Sequence, residues 1–115
     1  MGIKLARSEP DDPQVRRAFR VLAKNRHVER DWNELLRVRG EMCLRCWDHI
    51  STAPTQRIGK RYLPLRGSQS EVEFEGQRLR QWQYEIDRGA RVKVGVGRDF
   101  VVVVLVSTGH PKENE

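Results

Sequence analysis

The sequence predicts an α+β domain in which two N-terminal helices pack on one face of a mainly antiparallel, about four-stranded sheet. Three observations predict it. Apolar residues recur at helical spacing between Asp12 and Ser51, apolar and polar residues alternate through "LRQWQYEI" and "RVKVGV", and the run Phe100 to Val106, "FVVVVLV", is apolar throughout. No Pro- or Gly-rich linker divides the chain. Residues 1–115 therefore read as a single domain, helical over about 12–52 and sheet-forming over about 57–110.

The first helix is expected from Asp12 through "DPQVRRAFRVLAKN". Asp12 can cap it, Pro13 suits the first turn, and Val15, Ala18, Phe19 and Leu22 recur at helical spacing. The second helix is expected to begin at "DWNE", where Asp31 and Glu34 have capping-box spacing, and to run to about Ser51 before "TAPTQ" breaks it. "RIGKRYLPLRG" is short, basic and β-compatible, and "SQSEVE" reads as a polar loop. From Leu79 a strand places Trp82, Tyr84 and Ile86 on one face and Gln81, Gln83 and Glu85 on the other. After the turn "DRGA", the next strand turns Val92, Val94 and Val96 inward and Arg91 and Lys93 outward. Gly97-Arg98-Asp99 then leads into the apolar strand, which needs cover on both faces and is expected to lie centrally.

Lys and Arg number 22 against 16 Asp and Glu, giving a formal charge of +6 and favouring an anionic partner. The basic residues are spread along the chain, so solvated helix faces are the alternative. No apolar run approaches the roughly eighteen residues of a membrane span, and "MGIKLARSEPDDP" lacks the apolar core of a signal peptide. A cytoplasmic protein with no membrane partner is the expectation, and two cysteines alone give no disulfide framework.

Those cysteines lie in "MCLRCWDH", at Cys-x-x-Cys-x-x-His spacing. At about 100° per residue, Trp32, Leu35, Leu36, Cys43, Cys46, Trp47 and Ile50 fall within roughly 60° of one centre, while His49 lies at the margin. A zinc site would need a fourth ligand from a second pair or turn, and none is present. A reactive thiolate is commonly set at a helix N-terminus, not inside an apolar stripe. Packed core thiols are thus favoured over a metal or redox site, and no metal or cofactor is expected.

The outward hairpin face collects Gln83, Glu85, Arg91 and Lys93 across two paired strands. Arg66 follows the short basic strand, and the ending "STGHPKENE" supplies His110 and Lys112 where the apolar strand leaves the sheet. If the ending turns back over that face, the cations, a carboxylate and a histidine converge. Such a set can process a phosphodiester without metal: guanidinium groups stabilise phosphoryl charge while a group titrating near neutrality moves protons. RNA would supply its own nucleophile, the 2′-hydroxyl. The alternative is a solvated sheet on which Arg91 and Lys93 pair with Glu85.

The run "LPLRG", with "LRQWQYEIDRGARVKVGVGRDFVVVVLVSTGHPKE", resembles the RelE/ParE toxin superfamily: a Leu-Lys/Arg-Gly turn, a hairpin ending in Tyr-Arg-Val, an apolar strand and a terminal Gly-His-Arg-Lys-like segment. The resemblance covers about half of the chain, and "WQYE" and "TGHPK" are similar to an actinobacterial-type branch. It implies the toxin of a type II toxin–antitoxin pair, most often a nuclease that cuts messenger RNA in the ribosomal A site by attack of the 2′-hydroxyl on the adjacent phosphate. By this resemblance Arg91 binds the scissile phosphate, and His110 falls where acid-base and phosphate-binding groups lie. Glu85 is a candidate base, Lys112 an electrostatic stabiliser, and Arg66, Lys93 and Gln83 are RNA-contacting. A cognate antitoxin is the implied protein partner.

The chain also departs from that pattern. Gln83 and Glu85 stand where one branch has two lysines, no tyrosine follows Lys112, Ala90 replaces an aromatic residue, and Gly95 replaces a large one, which is expected to open the face. The departures keep two alternatives in view: a ParE-like inhibitor of DNA gyrase, and a non-catalytic RNA- or protein-binding module on the same fold.

Overall fold

The computed structural model describes residues 2–87 and 89–108. In chain order the elements are β1 (Ile3–Lys4), β2 (Arg20–Ala23), α1 (Arg26–Val38), α2 (Gly40–Thr52), β3 (Tyr62–Pro64), β4 (Glu71–Phe74), β5 (Gln77–Asp87), β6 (Ala90–Val96) and β7 (Phe100–Ser107). The strands form one seven-stranded sheet in the order β1-β2-β7-β6-β5-β3, and β4 also pairs with β5. Pairing is antiparallel except between β2 and β7, which run parallel from Arg20 beside Phe100 to Ala23 beside Val103.

This mixed, seven-stranded sheet corrects the expected four-stranded antiparallel one, and the reasons are local. The helix expected from Asp12 does not form. Asp12 instead closes a tight turn, its side chain accepting from the backbone N–H of Gln14 at 2.9 Å and its carbonyl from Val15 at 3.0 Å. Arg17 reaches back to Asp11 at 2.7 Å and across to Asp48 at 3.2 Å, and Arg7 meets Asp48 at 2.8 Å. The segment is thereby held against α2 as an irregular strap. Beyond it, Val21 and Ala23 are buried and Arg20 is exposed, a period of two. Strand pairing with β7 overrides a helix-like spacing whose first members, Val15 and Ala18, remain exposed.

The second expected helix is two. The side chain of Asn25, not Asp31, caps α1 by accepting from Val28 N–H at 2.9 Å. The helical path breaks at Arg39 (φ −135°, ψ 47°), ahead of Gly40. Val28, Trp32 and Leu35 on α1, with Cys43, Cys46 and Ile50 on α2, are buried on the sheet. Full burial of an aliphatic side chain such as Leu35 or Ile50 contributes about 2 kcal/mol.

The loop expected at "SQSEVE" is partly a strand. Glu71–Phe74 pairs with Gln77–Arg80 through a two-residue turn at Glu75 and Gly76, whose φ values of 52° and 82° match the twist of a tight hairpin. A polar sequence hides this strand because only Phe74 of its four residues is buried.

The sheet has apolar material on both faces. One face, under the helices, carries Val21, Tyr84, Ile86, Val92, Val94, Val101 and Val103. Tyr62 is fully buried there, stacked on Trp82 at 5.0 Å and donating to Pro54 O at 2.5 Å. The other face bears a smaller cluster of Phe74, Leu79, Phe100 and Val102. Cover on both sides is what the apolar first half of β7, Phe100 to Val103, requires, and β7 lies inside the sheet between β2 and β6.

Candidate functional site

Strand register places the outward residues of β5, β6 and β7 in rows, because directly paired residues share a face. Glu85, Arg91 and Ser107 make the first row; Gln83, Lys93 and Leu105 make the second. Gln81, Gly95 and Val102 make the third. A bulge sustains this order: Lys93 pairs with Leu105 but Val94 with Val103, so Val104 is the extra residue and Leu105 returns to the face of Lys93.

The first two rows are open. Arg91 and Glu85 are exposed, Gln83 and Lys93 are half-buried, and Leu105 is 43% exposed. The third row is closed. Gly95 is buried, and a Cβ there would lie 2.9 Å from Val72 Cγ1 and 3.2 Å from Leu79 Cβ, so the β4–β5 hairpin curls directly over β6. The expectation that Gly95 opens the face is thus reversed: it lets a neighbouring strand shut that end. Ala90 is 2% exposed in the core under the helices, away from the open rows.

One wall of the open face comes from the segment joining β3 to β4, which pair with the same edge of β5. Between them Gly67–Gln69 forms a single 3₁₀ turn, entered through Gly67 at φ 66°, a left-handed value suited to glycine. Gln81 clamps this loop. Its N–H donates to Ser70 O at 2.8 Å, its carbonyl accepts from Leu65 N–H at 2.9 Å, and its nearly buried carboxamide donates to Gln69 O at 2.6 Å. Arg66 is exposed at the start of the turn.

Lys93 does not turn to Glu85. Its ammonium donates to Gln69 Oε1 at 3.0 Å. Among the described residues no ion pair joins Arg91 or Lys93 to Glu85, so the face is solvated but not self-paired. The fold brings Arg91, Glu85, Lys93 and Gln83 together and sets the Arg66 loop beside them. His110 and Lys112 lie outside the described residues. Sequence reasoning missed Gln69, whose place on the face depends on the loop's path, and gave Gln81 only an outward position. The sequence sign was the glycine that starts the turn, Gly67, but not where the loop leans.

Across the sheet, "MCLRCWDH" lines the inner side of α2. Cys43 and Cys46 are fully buried, and burial pushes the Cys43 thiol up to about 11 and the Cys46 thiol well above its ordinary value. Thiols held protonated are poor nucleophiles and poor metal ligands. His49 points elsewhere: its Nε2 lies 2.8 Å from Gln56 O and its ring stands edge-on to Tyr62 at 4.8 Å. Among the described residues no group of three or more His, Cys, Asp or Glu side chains is placed to hold a metal ion.

No protein-family model, curated protein or solved structure matches this chain. Function therefore has to be argued from the site itself. Among the described residues, no helix is long and apolar enough to cross a membrane.

Proposed function

We propose that the open face is an RNA-cutting site and that the protein is the toxin of a type II toxin–antitoxin system, an endoribonuclease acting on messenger RNA in the ribosomal A site. The observation that carries this reading is the pairing of Arg91 with Glu85 in adjacent strands, directly opposed on an exposed face without an ion pair between them. Directly opposed side chains start about 5 Å apart at Cβ, so a phosphodiester can meet both.

In this reading the Arg91 guanidinium holds the non-bridging oxygens of the scissile phosphate and stabilises charge as the phosphorane forms. Glu85 takes the proton of the 2′-hydroxyl, whose oxygen attacks phosphorus. The bond to the 5′-oxygen breaks, that oxygen gains a proton, and the products are a cyclic phosphate and a 5′-hydroxyl. By the sequence resemblance His110 falls where acid-base and phosphate-binding groups lie, which makes it the candidate donor of that second proton, with Lys112 a candidate electrostatic stabiliser. Lys93 and Arg66 contact the RNA backbone from the second row and the loop, and Gln83 stands beside Lys93. A cognate antitoxin that covers this cationic face fits the charge of +6.

Inducing the protein should stop translation and leave cuts within translated messages. Arg91→Ala should restore growth and remove the cuts at an unchanged melting temperature, since Arg91 is exposed. Full toxicity of Arg91→Ala would refute the site. Arrested growth with uncut messages and impaired supercoiling would instead select gyrase inhibition; salt-sensitive RNA binding with no cleavage would select a binding module.

A further inference from the structure

We infer that Gln69 is a specificity-determining residue that makes the cutting site select keto-bearing bases, guanine and uracil, over amino-bearing adenine and cytosine at one position beside the scissile phosphate. The inference rests on the nuclease reading above and adds to it which base chemistry the face accepts.

Lys93 is a donor only, so the group that meets its ammonium at 3.0 Å must be the carboxamide oxygen of Gln69. The NH2 of Gln69 is thereby turned away from Lys93. Together the two side chains offer unused N–H groups, the amide's and the ammonium's, while the amide oxygen, accepting from Lys93, keeps one free lone pair. The backbone that carries Gln69 is held in place, because Gln81 binds the loop by three hydrogen bonds, one of them to Gln69 O, and is itself 6% exposed.

A pair richer in donors than in acceptors, one donor being charged, distinguishes bases at the keto or amino position. Guanine presents two adjacent acceptors, O6 and N7, and uracil presents O4; adenine keeps N7 but sets an amino group where guanine has O6, and cytosine sets one where uracil has O4, a donor facing donors. Unstacked single-stranded bases expose these edges to side chains. Phosphate also accepts hydrogen bonds, and the three donors of Lys93 can serve the backbone as well as the base, but the face already carries Arg91 and Arg66 for charge. A neutral amide adds direction without adding charge, which suits a base edge better than a phosphate.

The test uses ribosomes programmed with messages that differ in a single base on either side of the cut, and compares cleavage rates for the wild type, Gln69→Ala and Gln69→Glu. The wild type should favour the keto base by about tenfold at one of these positions. Gln69→Ala should bring the ratio toward one. Gln69→Glu should reverse it, because one carboxylate oxygen still accepts from Lys93 while the other now accepts from an amino group. Gln69 is exposed, so both variants should melt with the wild type, and a purely structural role would not reverse a base preference. A ratio identical in all three proteins would overturn the assignment of Gln69 and leave the nuclease reading intact. No cleavage by the wild type would overturn that reading and this inference with it.

Discussion

Replacing Gly95 by alanine tests the closed end of the face. The added methyl would sit 2.9 Å from Val72 Cγ1 and 3.2 Å from both Cβ and Cδ1 of Leu79. Unstrained carbon contacts lie at about 3.5–4.0 Å, so at least one neighbour has to yield. Val72 is β-branched and stiff at χ1, and the Leu79 Cβ moves only with its backbone. Overpacking of this kind costs about 1–3 kcal/mol. Alanine returns about 0.5–1 kcal/mol by narrowing the unfolded ensemble. The net loss is about 1 kcal/mol, or a melting temperature lower by about 4 °C in a domain of this size. Adding Val72→Ala removes the nearest atom, so the double variant should lose less than the two single losses combined, with a coupling of about 0.5 kcal/mol or more. Thermal and urea melts of the four proteins close the cycle. A Gly95→Ala protein as stable as the wild type, with no coupling to Val72, would mean that the β4–β5 hairpin does not lie over β6 and that the third row is open.

Substitutions at Cys43, Cys46 and Asp48, and shifts of pH, test the rest of the frame. Cys43→Ala with Cys46→Ala should destabilise by about 1 kcal/mol per site through small cavities while leaving the proposed RNA cleavage and the metal content unchanged; a stoichiometric zinc lost with the thiols would refute the core assignment. The Cys43 thiol also predicts alkaline behaviour: its folded-state pKa of about 11 lies above the unfolded value near 8.5, so the unfolded chain loses the proton first. Stability present below about pH 8.5 should be lost as pH rises toward 11, and Cys43→Ala should blunt that loss in pH-dependent melts. Asp48→Ala removes the carboxylate shared by Arg7 and Arg17, so residues 6–19 should become sensitive to protease while amide exchange in β5–β7 stays slow. Acid should act on the same strap: the hydrogen bond from Arg17 holds Asp11 below its ordinary carboxylate value, so this contribution is present above about pH 4 and fades as pH falls through the lowered pKa. Uniform loss of protection across the sheet in Asp48→Ala would refute the strap as a separate unit.

The hairpin half was legible because period-two alternation is a local signal. Trp82, Tyr84 and Ile86 are buried, as are Val92 and Val94, while Arg91 and Glu85 are exposed, all as the alternation requires. The inward stripe of Trp32, Leu35, Cys43, Cys46 and Ile50 was legible from the helical period, which is equally local, even though the helix breaks at Arg39. Residues 12–25 were not. Val15, Ala18, Phe19 and Leu22 fit a helical wheel, but nothing local reveals that Val103 and Asp48 lie far along the chain waiting to pair with Ala23 and Arg17. β4 was hidden similarly, since a mostly exposed strand carries little apolar pattern.

By itself, the sequence determined which side chains share a face: neighbours on one strand or helix are placed by backbone geometry alone, and that is enough to set Arg91 with Lys93 and Glu85 with Gln83. Only the tertiary structure decided which of those neighbours meet. The parallel pairing of β2 with β7, the hairpin folded over Gly95 and the loop that brings Gln69 to Lys93 each join residues distant in the chain. Such contacts form when the free energy of long-range packing exceeds both local propensity and the entropy of closing the intervening loop, a balance that no short stretch of sequence contains.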